Sequence, residues 1–161
     1  MAALIDSLLV AGGLDPSKNY SFLTVPVALY LCLTPHYLAV ATAGIAVYDN
    51  SAPRNFQENV RRDTSIDKIR KARVLRMAGA STNGFETLGF FAGGVAAANY
   101  AGVDSRTLNA LSVGYVLARL AFIAAYVGIR NRRLSWARSV LWNVASLASV
   151  ALWIKAGMKH V

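Results

Sequence analysis

From Ser21 to Tyr48 the chain carries no Asp, Glu, Lys or Arg, and this run limits the available folds more than any other feature. At ~1.5 Å of rise per residue, even part of it crosses a hydrocarbon core of about 30 Å as a helix. Three further stretches follow. Met77 to Val103 carries one formal charge, Glu86; Thr107 to Ile129 carries one, Arg119; Ser139 to Ile154 carries none and extends back through Trp136 if Arg138 snorkels. A soluble helical bundle needs a polar face on each helix, and these runs leave almost none. The 55% hydrophobic content over 161 residues points the same way. The pattern predicts an all-α integral membrane four-helix bundle, one domain over 1–161, with spans at about 21–47, 75–101, 107–130 and 134–156.

The net charge of +9 would suit a nucleic-acid partner, but its placement argues for a membrane instead. Eight basic residues (Arg54, Arg61, Arg62, Lys68, Arg70, Lys71, Arg73 and Arg76) lie between the first and second spans, and four (Arg130, Arg132, Arg133 and Arg138) between the third and fourth. These two loops share a side. The other side holds only Lys18, Arg106, Lys155 and Lys159, so the positive-inside rule puts loops 49–71 and 130–134 in the cytoplasm. Anionic headgroups account for most of this basicity.

The opening "MAALIDSLLVAGGL" has no basic start, contains Asp6 and offers no convincing cleavage site, which argues against a cleaved leader and for a segment at the interface. Cys32 is the single cysteine and reads as a small buried hydrophobe. His36, beside Pro35, is expected to hydrogen-bond between helices rather than bind a ligand. No cluster of His, Cys or carboxylates supports a metal. "SIDKIRKARVLRMAGA" is expected to start the second long helix well before the membrane, capped by Ser65 or Thr64. Pro35 is expected to bend the first span. Gly89, Gly93 and Gly94 give a thin face for a neighbouring helix.

Two polar groups then stand in oily surroundings. In "STNGFETLGFF" Asn83 and Glu86 are three residues apart and share a helix face. A lipid-facing carboxylate costs about 2.5 kcal/mol or more, so Glu86 needs a partner, and Arg119 in the adjacent antiparallel span is the expected one, with Asn83 bridging. Tyr115, Arg119, Phe122, Tyr126 and Arg133 follow as one stripe on the third span.

"RMAGASTNGFETLGFF" resembles the second-helix pattern of the membrane-associated proteins in eicosanoid and glutathione metabolism: an Arg, then Arg-Ala-x-x-Asn-x-x-Glu and an apolar run. "LARLAFIAAYVGIRNRR" is similar to the family's Ala-Arg-Leu, later Tyr and basic turn. The likeness covers roughly residues 20–156. It implies a homotrimer of four-helix subunits, in the endoplasmic reticulum, with glutathione in clefts between subunits. It also implies cofactor-binding roles for Arg76, Asn83, Glu86, Arg119 and Tyr126, and catalytic roles for Arg133, as thiolate stabiliser, and Tyr126. The chain departs from the pattern at Gly79, where a second Arg is expected, at Phe122, where Tyr or His is common, and at Thr87. Three functions therefore stay open. One is a glutathione-dependent transferase or isomerase acting on a lipophilic electrophile; another is a non-catalytic subunit that presents lipid or accompanies a partner enzyme. The third is a glutathione-independent isomerase or cyclase.

Overall fold

The computed structural model describes residues 2–131 and 133–159; Arg132, one of the basic residues of the last turn, lies outside them. Helix α1 (Ala2–Ala11) precedes α2 (Ser21–Ala43), a short α3 (Phe56–Arg62), α4 (Lys68–Tyr100), α5 (Ser105–Gly128) and α6 (Trp136–Met158). Three of these, α2, α5 and α6, are long and apolar enough to cross a membrane. At most a third of the apolar window in each is buried, so Phe22, Leu23, Leu120, Leu147 and Ile154 face outward. An apolar surface of that extent has lipid as its natural solvent. The chain is an integral membrane protein.

Helix α4 falls short on hydropathy because Ser81, Thr82, Asn83, Glu86 and several glycines interrupt its oily stretch, yet its packing makes it run end to end beside α2. At one end Asn99 accepts from Asn19 Nδ2 (2.6 Å) and donates to Ser21 Oγ (2.9 Å). At the other end Arg70 Nε donates to the Thr42 carbonyl (2.6 Å). Helix α4 is thus pinned to both ends of α2.

The local starts and stops have identifiable causes. Helix α4 begins at Lys68, well before the oily stretch, but the cap is Asp67, whose Oδ1 accepts from the Ile69 and Arg70 amides. Ser65 cannot cap because Asp63 already holds its hydroxyl and amide (both 2.7 Å). At the far end Gly102 takes φ +71°, letting Val103 N reach the Ala98 carbonyl (3.0 Å) and close the helix. Asp104 then caps α5 through the Thr107 amide (2.8 Å). Pro26 and Pro35 both sit inside α2, which continues to Ala43.

Two apolar clusters fill the bundle. One, around Phe91, Val95, Leu108, Tyr115, Ala145 and Leu152, joins α2, α4, α5 and α6. The other, around Ala39, Phe56, Val60, Val74 and Met77, ties α3 onto α2 and α4 toward the basic loops. Small residues bring the helices together: a Cβ on Gly84 would lie 2.7 Å from Cys32 Sγ, and Gly93 and Gly94 receive Trp153 of α6. Gly89 faces open space and takes no part in that contact. Helix α1 rests on α5, with Arg106 Nε donating to Asp6 Oδ2 (2.7 Å).

Candidate functional site

Tyr115, Arg119, Phe122 and Tyr126 are spaced by four, three and four residues, which keeps them on one face of α5. Helix α5 ends at Gly128, so Arg133 does not extend this stripe. It lies in the following turn, exposed, its amide bonded to Asn131 Oδ1 (2.8 Å).

Arg119 is buried, 3% exposed. Its Nη1 donates to Asn83 Oδ1 at 2.9 Å, and its guanidinium carbon stands 4.6 Å from the centre of the Phe122 ring. The expected ion pair with Glu86 does not form: no Arg119–Glu86 contact is among the ion pairs of the described residues. The reason is angular. Three residues on a helix turn a side chain by about 60°, so when Asn83 faces α5, Glu86 is rotated toward α6. There it is exposed and lines a groove of about 240 Å3 with Phe90, Trp142, Ser146 and Ser149.

The bond to Arg119 also orients Asn83. A guanidinium only donates, so the amide oxygen must face it, and the amide NH2 is left to donate elsewhere. Asn83 lines a cleft of about 480 Å3 with Phe122, Tyr126, Ser135, Arg138, Ser139, Trp142 and Asn143. Within it the Tyr126 ring lies 5.3 Å from that of Phe122, and the Arg138 guanidinium stands 4.9 Å from the centre of the Tyr126 ring. The result is a ladder of cation, ring, ring, cation from the bundle interior to the first turn of α6.

Each of the three departures from the motif has a packing role in the structure. A Cβ at Gly79 would meet Tyr126 Oη at 3.2 Å, so Tyr126 lies in the space that a longer side chain on α4 would take. Phe122, in turn, separates the buried Arg119 from the cleft. Thr87 bonds Tyr115 Oη (3.2 Å) and so serves the α4–α5 contact. Arg76 is half-buried and donates from Nε to the Val127 carbonyl (3.1 Å), closing the end of α5; the charges bearing on it are Arg130, Arg138 and Arg73. Among the predicted residues, then, the structure gathers Asn83 and Tyr126 at the cleft, with Arg119 behind them and Arg76 at the end of α5. It leaves Glu86 in a separate groove and Arg133 outside.

Arg138 and Ser139 line the cleft without having been singled out in the sequence, where Arg138 reads as one more basic residue at a membrane edge. The available signal was their spacing with Trp142 and Asn143, which places all four on one helical face.

Searches of curated proteins and of solved structures return no match, whereas the sequence profile of the MAPEG family matches residues 20–158. With that span covering every long helix and the whole cleft, the chain belongs to the MAPEG family.

Proposed function

We propose that the chain is a membrane-embedded glutathione-dependent transferase or isomerase acting on a lipophilic electrophile, with the thiol end of the tripeptide at Arg138 and Ser139. The observation that carries this reading is a cation held on an aromatic ring in a cleft of about 480 Å3, beside helices whose outer faces are lipid-facing. The volume is within the range of small-molecule sites. Donor chemistry fits such a ligand as well: the cleft offers one cation, two hydroxyls from Tyr126 and Ser139, and the free NH2 of Asn83 to an anionic, acceptor-rich molecule.

When bound, glutathione supplies a sulfur nucleophile. A thiol with pKa about 8.5 is mostly protonated at neutral pH, and a neighbouring cation shifts it toward thiolate. Arg138 supplies that charge. This moves the role expected of Arg133 to the first turn of α6, five residues on. Tyr126 carries Arg138 on its face and adds a hydroxyl donor; Arg119 acts at one remove by fixing the Asn83 amide. Trp142 lines both the cleft and the α4–α6 groove, giving an apolar route by which a substrate dissolved in the bilayer reaches the thiol.

The same proposal includes a homotrimer in the endoplasmic reticulum, carried over from the likeness to the family. The assembly is supported by Glu86. An outward carboxylate in an apolar groove costs about 2.5 kcal/mol or more against lipid, and a neighbouring copy relieves that cost. A second reading, a subunit that presents lipid without chemistry, is favoured by the Gly79–Tyr126 packing, which leaves one fewer cation at the cleft.

Glutathione titration of the purified protein, followed by thiolate ultraviolet absorbance, tests the choice. The wild type is expected to give a saturable signal that Arg138→Ala abolishes and Arg133→Ala retains, with oligomer size unchanged. No saturable signal at millimolar glutathione overturns the enzyme reading and leaves the accessory one.

A further inference from the structure

His36 was expected to hydrogen-bond between helices, but among the described residues no hydrogen bond reaches its ring. Its neighbours are aromatic edges, Tyr48 at 5.8 Å and Phe56 at 6.0 Å between centroids, which hold the imidazole without satisfying its nitrogens. The ring forms the common wall of two cavities. One, of about 240 Å3, lies where the Pro53–Asn55 turn and α3 fold back on α2 and α4, and is lined by His36, Arg54, Gln57 and Thr82 among others. The other, of about 420 Å3, is mainly apolar, lined by Tyr37, Val40, Ala41, Ile45 and Tyr48. Tyr37 and Ile45 are 63% and 83% exposed, so this groove opens to the surroundings of α2, the bilayer.

Arg54 likewise has no hydrogen bond or ion pair among those of the described residues, and no carboxylate lines the polar cavity. A guanidinium, an imidazole and a side-chain amide lining one cavity with no carboxylate in its wall form a donor set suited to an anion. The apolar groove joined to them calls for a hydrocarbon chain on the same molecule, because a bare anion would leave it uncovered. We propose that the paired cavities at His36 bind an anionic phospholipid from the leaflet on the basic side, its phosphate on Arg54, His36 and Gln57 and one acyl chain along Tyr37, Val40, Ala41 and Ile45. This site lies on the α2 side of α4 and is lined by none of the cleft residues, so it stands or falls independently of the glutathione proposal. The bound lipid would hold the Pro53–Asn55 turn and α3 against the bundle.

Native mass spectrometry of the delipidated full-length protein, titrated with dioleoyl phosphatidylglycerol or dioleoyl phosphatidylcholine, tests it. Phosphatidylglycerol is expected to bind at least tenfold tighter and to saturate at one per chain. Losing one charge-assisted hydrogen bond in Arg54→Gln should weaken it by about ten- to a hundredfold, whereas Arg61→Gln, also exposed on the basic side but near Glu58, should change it less than about twofold. Ala41→Trp fills the groove and should also weaken phosphatidylglycerol. Equal effects of Arg54→Gln and Arg61→Gln would mean diffuse surface attraction and overturn the site. Displacement of the lipid by millimolar inorganic phosphate, with Ala41→Trp silent, would make it a free-anion site and overturn the lipid assignment.

Discussion

Removing the Asn83 amide tests which group holds Arg119. In Asn83→Ala the buried guanidinium loses its one side-chain acceptor, the 2.9 Å bond to Oδ1, while Nη2 already has no partner. A hydrogen bond to a charged group is worth about 1.5–3 kcal/mol in water-soluble proteins. Interhelical polar pairs in membranes average about 0.6 and reach about 1.7 kcal/mol. Arg119 is 3% exposed and a guanidinium keeps its charge, so the coupling belongs at the upper end of the membrane range, about 1–1.7 kcal/mol. A double-mutant cycle isolates it: unfolding of Asn83→Ala, Arg119→Met and the double variant is followed in mixed detergent micelles. The matching cycle with Glu86→Ala and Arg119→Met should give less than about 0.5 kcal/mol, because Glu86 faces the α4–α6 groove. Asn83→Asp keeps the acceptor and should remain near wild-type stability. Coupling of Arg119 to Glu86 equal to or above its coupling to Asn83 refutes the geometry argued for the interior of the bundle.

Gly84→Ala puts a Cβ 2.7 Å from Cys32 Sγ and 3.3 Å from its Cα; forcing α2 from α4 should cost about 1–3 kcal/mol, whereas Gly89→Ala in open space should be neutral or stabilise by up to about 1 kcal/mol, both read from unfolding midpoints. Asn109 is fully buried and joins the Tyr20 amide to the Lys18 carbonyl (both 2.8 Å); Asn109→Leu should loosen the 12–20 arm, seen as faster proteolysis there with the spans intact. The Thr107 amide holds the Asp104 carboxyl below the usual carboxylate range. A lowered folded value stabilises above the unfolded value of about 3.9 and is lost as pH falls through the folded one. The acid limb of unfolding should therefore flatten in Asp104→Asn, which still caps α5; an unchanged limb refutes the assignment.

Much was legible from residue order, because hydropathy over twenty residues is a local property that tertiary contacts do not rewrite. The charge-free run at Ser21–Tyr48 holds α2, although the helix stops at Ala43 where Gly44 takes φ +98°; the stretches around Arg119 and Ser139 lie in α5 and α6, and α4 starts early. The family was legible too, since Asn83, Glu86, Ala118 and Arg119 stand at their motif spacings. The polar interior was less so. Spacing places Asn83 and Glu86 on one broad face, but a 60° difference in direction decides which of them meets α5, and only the packed helices supply that angle. Arg133 and Arg138 are alike as basic residues near a membrane edge; where α5 stops and α6 starts sends one to solvent and the other over Tyr126. Gly79 looked like a missing cation, and it is also the space in which Tyr126 rests. His36 was assigned a partner by its type, and the fold surrounds it with aromatic edges instead. Amino-acid order dictated which segments leave water, because transfer free energy sums along the chain. The packed helices decided which side chains meet, because contact depends on rotation and approach between segments far apart in sequence.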